Sequence, residues 1–306
     1  MLVGLSGGSD SVALTRMLLG LSEHGGFEVV GVAHLNHRLR AGADRDERFC
    51  REFAAAVAVP IVVETADVRA IAGERGLSLE DAARRVRYDF LERTADALNA
   101  DRIAVGHTQD DQAETLLLKL MRGAGLTGLA GVYPRRGRVI RPLLDVSRAD
   151  LRTWLARTGA AWMDDETNED VTNPRNRIRH VVLPELDRAA GGPTRPAIAR
   201  AAALIREDGQ WLDERAGECW DVLATKSPDG LALDAAGLEA TPPPIRRRVL
   251  LRSMRELAGA REVGLEHVEA VMAVLGAGSG AVDVPGSRVE LRAGKLVLIQ
   301  QKPVQR

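Results

Sequence analysis

Apolar positions follow two alternating rhythms along the first part of the chain. Short apolar runs at Leu2-Val3-Gly4-Leu5, Phe27 to His34, Ile61 to Glu64 and Arg102 to His107 have the length and β-branched content of buried strands. Between them, Val12 to Leu21, Asp46 to Val57, Ser78 to about Leu98 and Thr108 to Met121 repeat their apolar residues at helical spacing. Ser78-Leu79-Glu80-Asp81 has the form of a capping box, which fixes the start of the third of these helices. Val139 to Leu143 suggests a fifth strand. Strands alternating with helices predict an α/β fold with a parallel, doubly wound, Rossmann-like sheet, whose ligands bind where the strands end.

The texture changes after Gly191-Gly192-Pro193. Helical patterns at Ala197 to Leu223, Ile245 to Leu257 and Leu265 to Val274 lead to Val282 to Leu291 and Lys295 to Ile299, which alternate as short strands do. The predicted organisation is therefore a nucleotide-binding domain over residues 1–190 and a second domain over 191–306. The second is smaller and mainly helical, and it ends in short antiparallel strands. No internal repeat interrupts this plan.

Composition narrows the chemistry. The 306 residues are 45% hydrophobic and 28% charged, which is ordinary for a globular protein with a sizeable core. No apolar run approaches the roughly 18 residues of a membrane span, and Met1 leads directly into the first strand, so a cytoplasmic protein with no membrane partner is expected. Cys50 and Cys219 are too few and too far apart for a disulfide framework, a zinc site or an iron–sulfur cluster. With a formal net charge of −1 and 3% aromatic residues, any contact with RNA must rest on local arginine clusters.

The strongest chemical signal joins the first strand to the first helix. Ser6-Gly7-Gly8-Ser9-Asp10-Ser11 follows a strand and opens a helix, so backbone amides can converge on a phosphate at a helix N-terminus. Ser9 and Ser11 add hydroxyl donors. Asp10 repels a phosphate unless a cation such as Mg²⁺ or a proton lies between them, so its presence points to chemistry beyond anion holding. The loop matches neither the Walker A pattern nor the dinucleotide GxGxxG pattern. It resembles the SGGxDS pyrophosphate loop of the N-type ATP pyrophosphatases, which cleave ATP between its α- and β-phosphates and adenylate an oxygen.

Four further stretches carry candidate chemistry. His34-Leu35-Asn36-His37-Arg38-Leu39-Arg40 lies past the end of the second strand, on the same sheet edge as the loop. His107-Thr108-Gln109-Asp110-Asp111-Gln112-Ala113-Glu114-Thr115 combines a capping box with more acids than a cap requires. Arg84-Arg85-Val86-Arg87 forms a basic turn of an amphipathic helix. The fourth runs from Trp162 through Asp164, Asp165, Glu166 and Asn168 to Asn173-Pro174-Arg175-Asn176-Arg177-Ile178-Arg179-His180. There Arg175 and Arg179, four apart, would form one helical prong able to hold phosphates.

Taken in order, SGGSDS, HLNHRLR, ARRVRYDFL, HTQDDQAETLLLKLMRGAGLTGL, RPLL and WMDDETNEDVTNPRNRIRHVVLPEL resemble the tRNA(Ile)-lysidine synthases, over Leu2 to about Leu186. The resemblance implies ATP-dependent modification of the wobble cytidine in the isoleucine tRNA with a CAU anticodon. ATP adenylates the C2 oxygen, and the amine of free L-lysine then displaces AMP. ATP would lie on Ser6, Gly7, Gly8, Ser9, Asp10 and Ser11, with His34 and Gly106 beside it. Mg²⁺ would be held by Asp10 and Asp111, and His107 with Asp111 would flank the reacting base. Arg87 and Arg179 would stabilise phosphate charge. Arg175, together with Arg246, Arg247 and Arg248 of a basic run that continues to Arg252 and Arg255, would contact tRNA. The chain ends after one small C-terminal domain, as in the short form of the family, and a homodimer is left open. Other N-type pyrophosphatases, whether RNA-modifying enzymes or amide ligases, and a non-enzymatic nucleotide- or RNA-binding module are the alternatives at this stage.

Overall fold

The protein is described by a computed structural model covering residues 1–38, 42–164, 169–227, 230–259 and 261–301. Leu39 and Arg40 of the first polar stretch, and Asp165 to Asn168 of the acidic stretch, lie outside these residues. The chain divides into two compact units, Met1–Arg206 and Glu207–Arg306.

In the first unit, β1 (Leu2–Gly4), β2 (Gly31–Asn36), β3 (Ile61–Thr65), β4 (Ile103–Ala104), β5 (Arg135–Arg136) and β6 (Val139–Ile140) form one sheet in the order β3-β2-β1-β4-β6-β5. All neighbours are parallel except β5, which pairs antiparallel with β6. The connecting helices are α1 (Ser9–Ser22), α2 (Ala43–Ala56), α3 (Val68–Arg75), α4 (Leu79–Ala97), α5 (Gln109–Met121), α6 (Leu126–Leu129) and α7 (Arg148–Arg157). Successive strand residues face opposite sides, so Leu2 and Val3 enter different cores. Val3 packs with Val12, Leu14, Phe53 and Leu155, while Leu2 packs with Leu35, Phe90, Leu91 and Ile103. Two apolar layers on one mostly parallel sheet are what the strand and helix alternation predicts.

Boundaries differ from the sequence reading in physically sensible ways. α1 begins at Ser9 rather than Val12, because its first turn is the phosphate loop itself. β2 begins at Gly31 rather than Phe27. β4 and β6 are each two residues long, although Val105 still donates its amide to the Ile140 carbonyl at 3.0 Å. α3 and α7 were absent from the expectation, and both are opened by side-chain caps, Asp67 and Ser147.

The segment after α7 contains α8 (Pro174–Arg177), a wider π-helical turn (Ile178–Val182), α9 (Leu183–Ala190) and α10 (Arg195–Leu223). Gly191, at φ +69°, terminates α9 inside the first unit, so the boundary expected there lies earlier than the observed division. Chemistry explains the extension. Ile198 at the start of α10 packs on Ile178 and Leu183, and Arg195 pairs with Asp110 and Asp187 at 3.1 and 2.9 Å.

The second unit holds β7 (Ala224–Ser227), β8 (Gly230–Asp234), α11 (Ala235–Ala240), α12 (Pro243–Ala258), α13 (Leu265–Gly276), β9 (Ala281–Val284), β10 (Ser287–Arg292) and β11 (Lys295–Gln300). Its strands form one antiparallel sheet in the order β7-β8-β11-β10-β9. The sheet buries Leu233, Val289 and Leu296 against Leu250, Met254 and Val271 of the helices. Among the described residues, no helix is long and apolar enough to cross a membrane.

Candidate active site

The site grows from the turn after β1. Gly7 takes φ +88°, a conformation that favours glycine, and a β-carbon there would press on Phe49 and Cys50 at 3.3 and 3.4 Å. The turn is closed from within. The Ser6 amide donates to Ser11 Oγ at 3.1 Å, Ser11 Oγ donates to the Gly8 carbonyl at 3.0 Å, and the Gly7 carbonyl accepts from the Met163 amide at 2.9 Å. Gly8 precedes α1 without a capping side chain, so the first amides of that helix have no side-chain acceptor at this position and suit an anion.

Gly106, just past β4, lies flat against this turn. A β-carbon there would meet the Asp10 carbonyl carbon and oxygen and the Ser11 nitrogen, all at 3.1 Å. The two strand ends therefore approach at backbone distance, which brings the first turn of α1 beside the first turn of α5.

At this junction Asp10 and Asp111 share one cation. Arg148 donates from Nε to Asp10 Oδ2 at 2.9 Å and from Nη2 to Asp111 Oδ1 at 3.4 Å, and its Nη1 lies 3.7 Å from Glu114 Oε1. Burial pushes the Asp10 carboxyl above its ordinary value, with the Asp111 charge acting in the same direction and Arg148 opposing both. Burial also works on Asp111, but Arg175, Arg148, His107 and the Thr108 amide outweigh it and hold this carboxyl below its ordinary value. Asp111 additionally serves as the N3 half of a capping box, accepting from Thr108 N at 2.8 Å and Thr108 Oγ1 at 3.0 Å. Capping and electrostatics thus use different oxygens of one carboxylate.

Glu114, fully buried, anchors the other side. It accepts from Arg175 Nε at 2.7 Å and from Arg179 Nε at 2.6 Å, while Arg175 Nη2 reaches Asp111 at 2.8 Å. The expected arginine prong exists, but here it is satisfied by α5 carboxylates rather than open to phosphates. Arg87 differs, being exposed and without an ion-pair partner among the described residues. Although its side chain reaches solvent, the surrounding protein partly desolvates the guanidinium and, with Arg84 and Arg175 nearby, lowers its pKa.

Burial favours the neutral form of His34, His37 and His107. Burial pushes His107 down to about 4 despite the neighbouring Asp111, with Arg141, Arg175 and Arg84 adding to the fall, and its Nδ1 has no internal partner. His37 is likewise down to about 4, through burial and the nearby Arg87 and His34. His34 sits beneath the loop, with Nδ1 2.9 Å from the Leu5 carbonyl and Nε2 buried and unpartnered.

Arg246, Arg247 and Arg248 belong to the second unit and do not form an open basic patch. Arg246 donates to the Thr241 carbonyl at 3.0 Å, Arg247 pairs with Glu269 at 2.9 Å, and Arg248 pairs with Asp213 at 2.7 Å. Sequence reasoning took five arginines in ten residues as free cations because the partners of the first three, a backbone carbonyl and acids on α13 and α10, are not adjacent in the chain. It also missed Arg148, the centre of the site. A signal was available: Arg148 opens α7, where the helix dipole disfavours a cation, so it needs an acidic partner from elsewhere.

Asp10 and Asp111 suit Mg²⁺. Both are hard oxygen donors that already converge on one positive centre, and Mg²⁺ is commonly held by one or two carboxylates with the remaining positions filled by water and substrate phosphates. Among the described residues, no group of three or more His, Cys, Asp or Glu side chains is placed to hold a metal ion.

Comparison with known proteins agrees with this geometry. Residues 1–186 match the PP-loop domain family. A tRNA(Ile)-lysidine synthase of Geobacter sulfurreducens is 39% identical over 275 residues, covering 88% of this chain and 58% of the relative, so this chain spans little more than half of that protein. One from Leifsonia xyli is 37% identical over 303 residues, covering 96% of this chain and 88% of the relative. Among solved structures, the U34-tRNA thiolase NcsA from Methanococcus maripaludis superposes with a TM-score of 0.55 at 16% identity, covering 67% of this chain and 72% of that one, a likeness of fold. By its PP-loop domain and its identity to these relatives, the chain belongs to the tRNA(Ile)-lysidine synthase family.

Proposed function

We propose that the protein is an ATP-dependent ligase that joins the amine of free L-lysine to C2 of the wobble cytidine in the isoleucine tRNA with a CAU anticodon. The observation that carries this reading is the junction of the phosphate loop with α5, where Asp10 and Asp111 converge beside helix amides that no side chain caps and a neutral histidine.

Two group transfers follow. The cytosine C2 oxygen attacks the α-phosphorus of ATP, an O–P bond forms, the bond to the β-phosphate oxygen breaks and pyrophosphate leaves. The neutral amine of lysine then attacks C2, the C2–O bond breaks with departure of AMP, and the nitrogen loses a proton. Ser6 to Ser11 would hold the phosphates through backbone amides and hydroxyls. Asp10 and Asp111 would hold Mg²⁺, which when bound neutralises phosphate charge. His107, uncharged at neutral pH, would offer its free Nδ1 to the base edge. Arg87, free of internal ion pairs, would meet phosphate charge.

The test is radiolabelled ATP with tRNA alone, lysine alone, both or neither. Expected is pyrophosphate release with tRNA alone, leaving AMP on the RNA. Robust release with lysine alone would mean that a carboxylate is activated instead, and would overturn the reading.

A further inference from the structure

Several arginines of this protein are committed to acids. Arg148, Arg175, Arg179, Arg195, Arg247 and Arg248 face carboxylates. Others gather on α4 and the β5–β6 hairpin. Arg84, Arg85 and Arg136 are exposed and have no ion pair among the described residues. A half-open cleft of about 320 Å³ lies between these elements, lined by Arg84, Tyr88, Glu92, Arg136 and Arg141.

The floor of the cleft is preorganised. Arg84, Tyr88 and Glu92 are spaced four apart and form one stripe of α4. Arg84 stacks over the Tyr88 ring at 5.1 Å. Arg141, 6% exposed, donates to the Tyr133 carbonyl at 2.7 Å and to Tyr88 Oη at 3.1 Å, while its Nε is buried without a partner. A guanidinium buried with no carboxylate is costly unless an anion meets it. Glu92 is the single acid on the lining, and Arg138 shares its charge at 3.5 Å.

We infer that this cleft, with Arg141 at its floor and Arg84 and Arg136 at its rim, binds the phosphodiester backbone of the RNA substrate. An extended ligand is favoured over a single carboxylate because the unpaired cations continue beyond the cleft to Arg85 and Arg87 along α4. Arg84 and Arg141 also lie within electrostatic reach of His107. This inference rests on the reading of the protein as an RNA-modifying enzyme. It moves the main cationic contact from the second unit to the first.

The experiment measures binding of an unmodified CAU-anticodon tRNA transcript across a salt series, for the full chain and for Arg84→Gln, Arg136→Gln and the double variant. Each loss should weaken binding about fivefold near 0.15 M salt and make the log–log salt slope shallower by about 0.7 to 0.9. Arg136→Lys should retain the slope, and Arg247→Gln should behave as wild type. Unchanged affinity and slope in the double variant would overturn the inference. So would unchanged tRNA binding with a raised KM for lysine, which would assign the cleft to the amino acid carboxylate. A wild-type protein that binds tRNA through these arginines yet releases no pyrophosphate would remove the ligase reading and leave the RNA surface standing.

Discussion

The guanidinium of Arg148 donates to the Asp10 carboxylate at 2.9 Å, joining residues 138 positions apart. Asp10, Asp111 and Glu114 would otherwise face one another across a largely buried space with less positive charge between them. Arg148→Gln should therefore destabilise the first unit by about 3 kcal/mol, as expected when one partner leaves a buried ion cluster. Millimolar Mg²⁺ should recover part of that loss in denaturant unfolding, because the freed carboxylates accept a divalent ion. A deficit that Mg²⁺ leaves untouched would contradict this account.

Asp111 and its capping partner can be separated by mutation. Thr108→Ala removes the hydroxyl half of the cap and should cost about 1 kcal/mol while sparing turnover. Asp111→Asn keeps an oxygen for the Thr108 amide but leaves Arg175 with Glu114 alone, and should lower pyrophosphate release by about 100-fold or more. Melting curves beside tRNA-dependent pyrophosphate assays distinguish the two. An active Asp111→Asn enzyme would reduce this residue to a helix cap.

Gly106→Ala tests the backbone approach of β4 to the loop. Its methyl group would have to displace the Asp10 carbonyl and the Ser11 amide, both at 3.1 Å, and neither is a flexible side chain. The expected result is an overpacking cost of about 1 to 3 kcal/mol. ATP affinity, read by calorimetry, should fall by about tenfold as the loop amides leave their alignment.

Acid should weaken the fold through the histidines. The folded pKa of His107 and of His37 is about 4, against an ordinary value of 6.5. A depressed histidine favours the folded state above its unfolded pKa, and that contribution is lost as pH falls from 6.5 through 4. In this window the unfolded chain binds more protons, so stability rises with pH. His107→Gln should flatten the dependence by about 2 kcal/mol between pH 7 and 4, a figure discounted for the partial exposure of the ring. Asp111, with its lowered pKa, adds a loss in the same direction at lower pH. Urea titrations of wild type and variant across this range provide the check.

Much of this site is legible in the chain because its chemistry is local. The loop at Ser6 to Ser11, the caps at Ser78 and Thr108 and the strand–helix alternation each need only a few neighbouring residues. The ion network is different in kind. Arg148 looks like surface until its partners 37 and 138 positions away are known, and Arg246 to Arg248 look like a nucleic-acid patch until Thr241, Glu269 and Asp213 are placed. β7, with the sequence Ala-Thr-Lys-Ser, lacks the apolar alternation that would mark it, because it is an edge strand with no fully buried residue. Periodicity reports which face meets the core, and it carries no record of which distant charge a side chain will meet.

The wide turn at Ile178–Val182 sets the angular phase of the segment that contains it. Ahead of it, Arg175 reaches Glu114, and beyond it, Leu183 is fully buried beside Ile178 and Ala113. An α-helix advances by about 100° per residue, so deleting one residue within the turn would rotate everything after it by about that amount relative to everything before. Leu183 and Glu114 could then no longer both be satisfied by one continuous rod. The extra residue is a phase offset that lets a single helical segment serve two masters, a charged site on one side and a hydrocarbon core on the other.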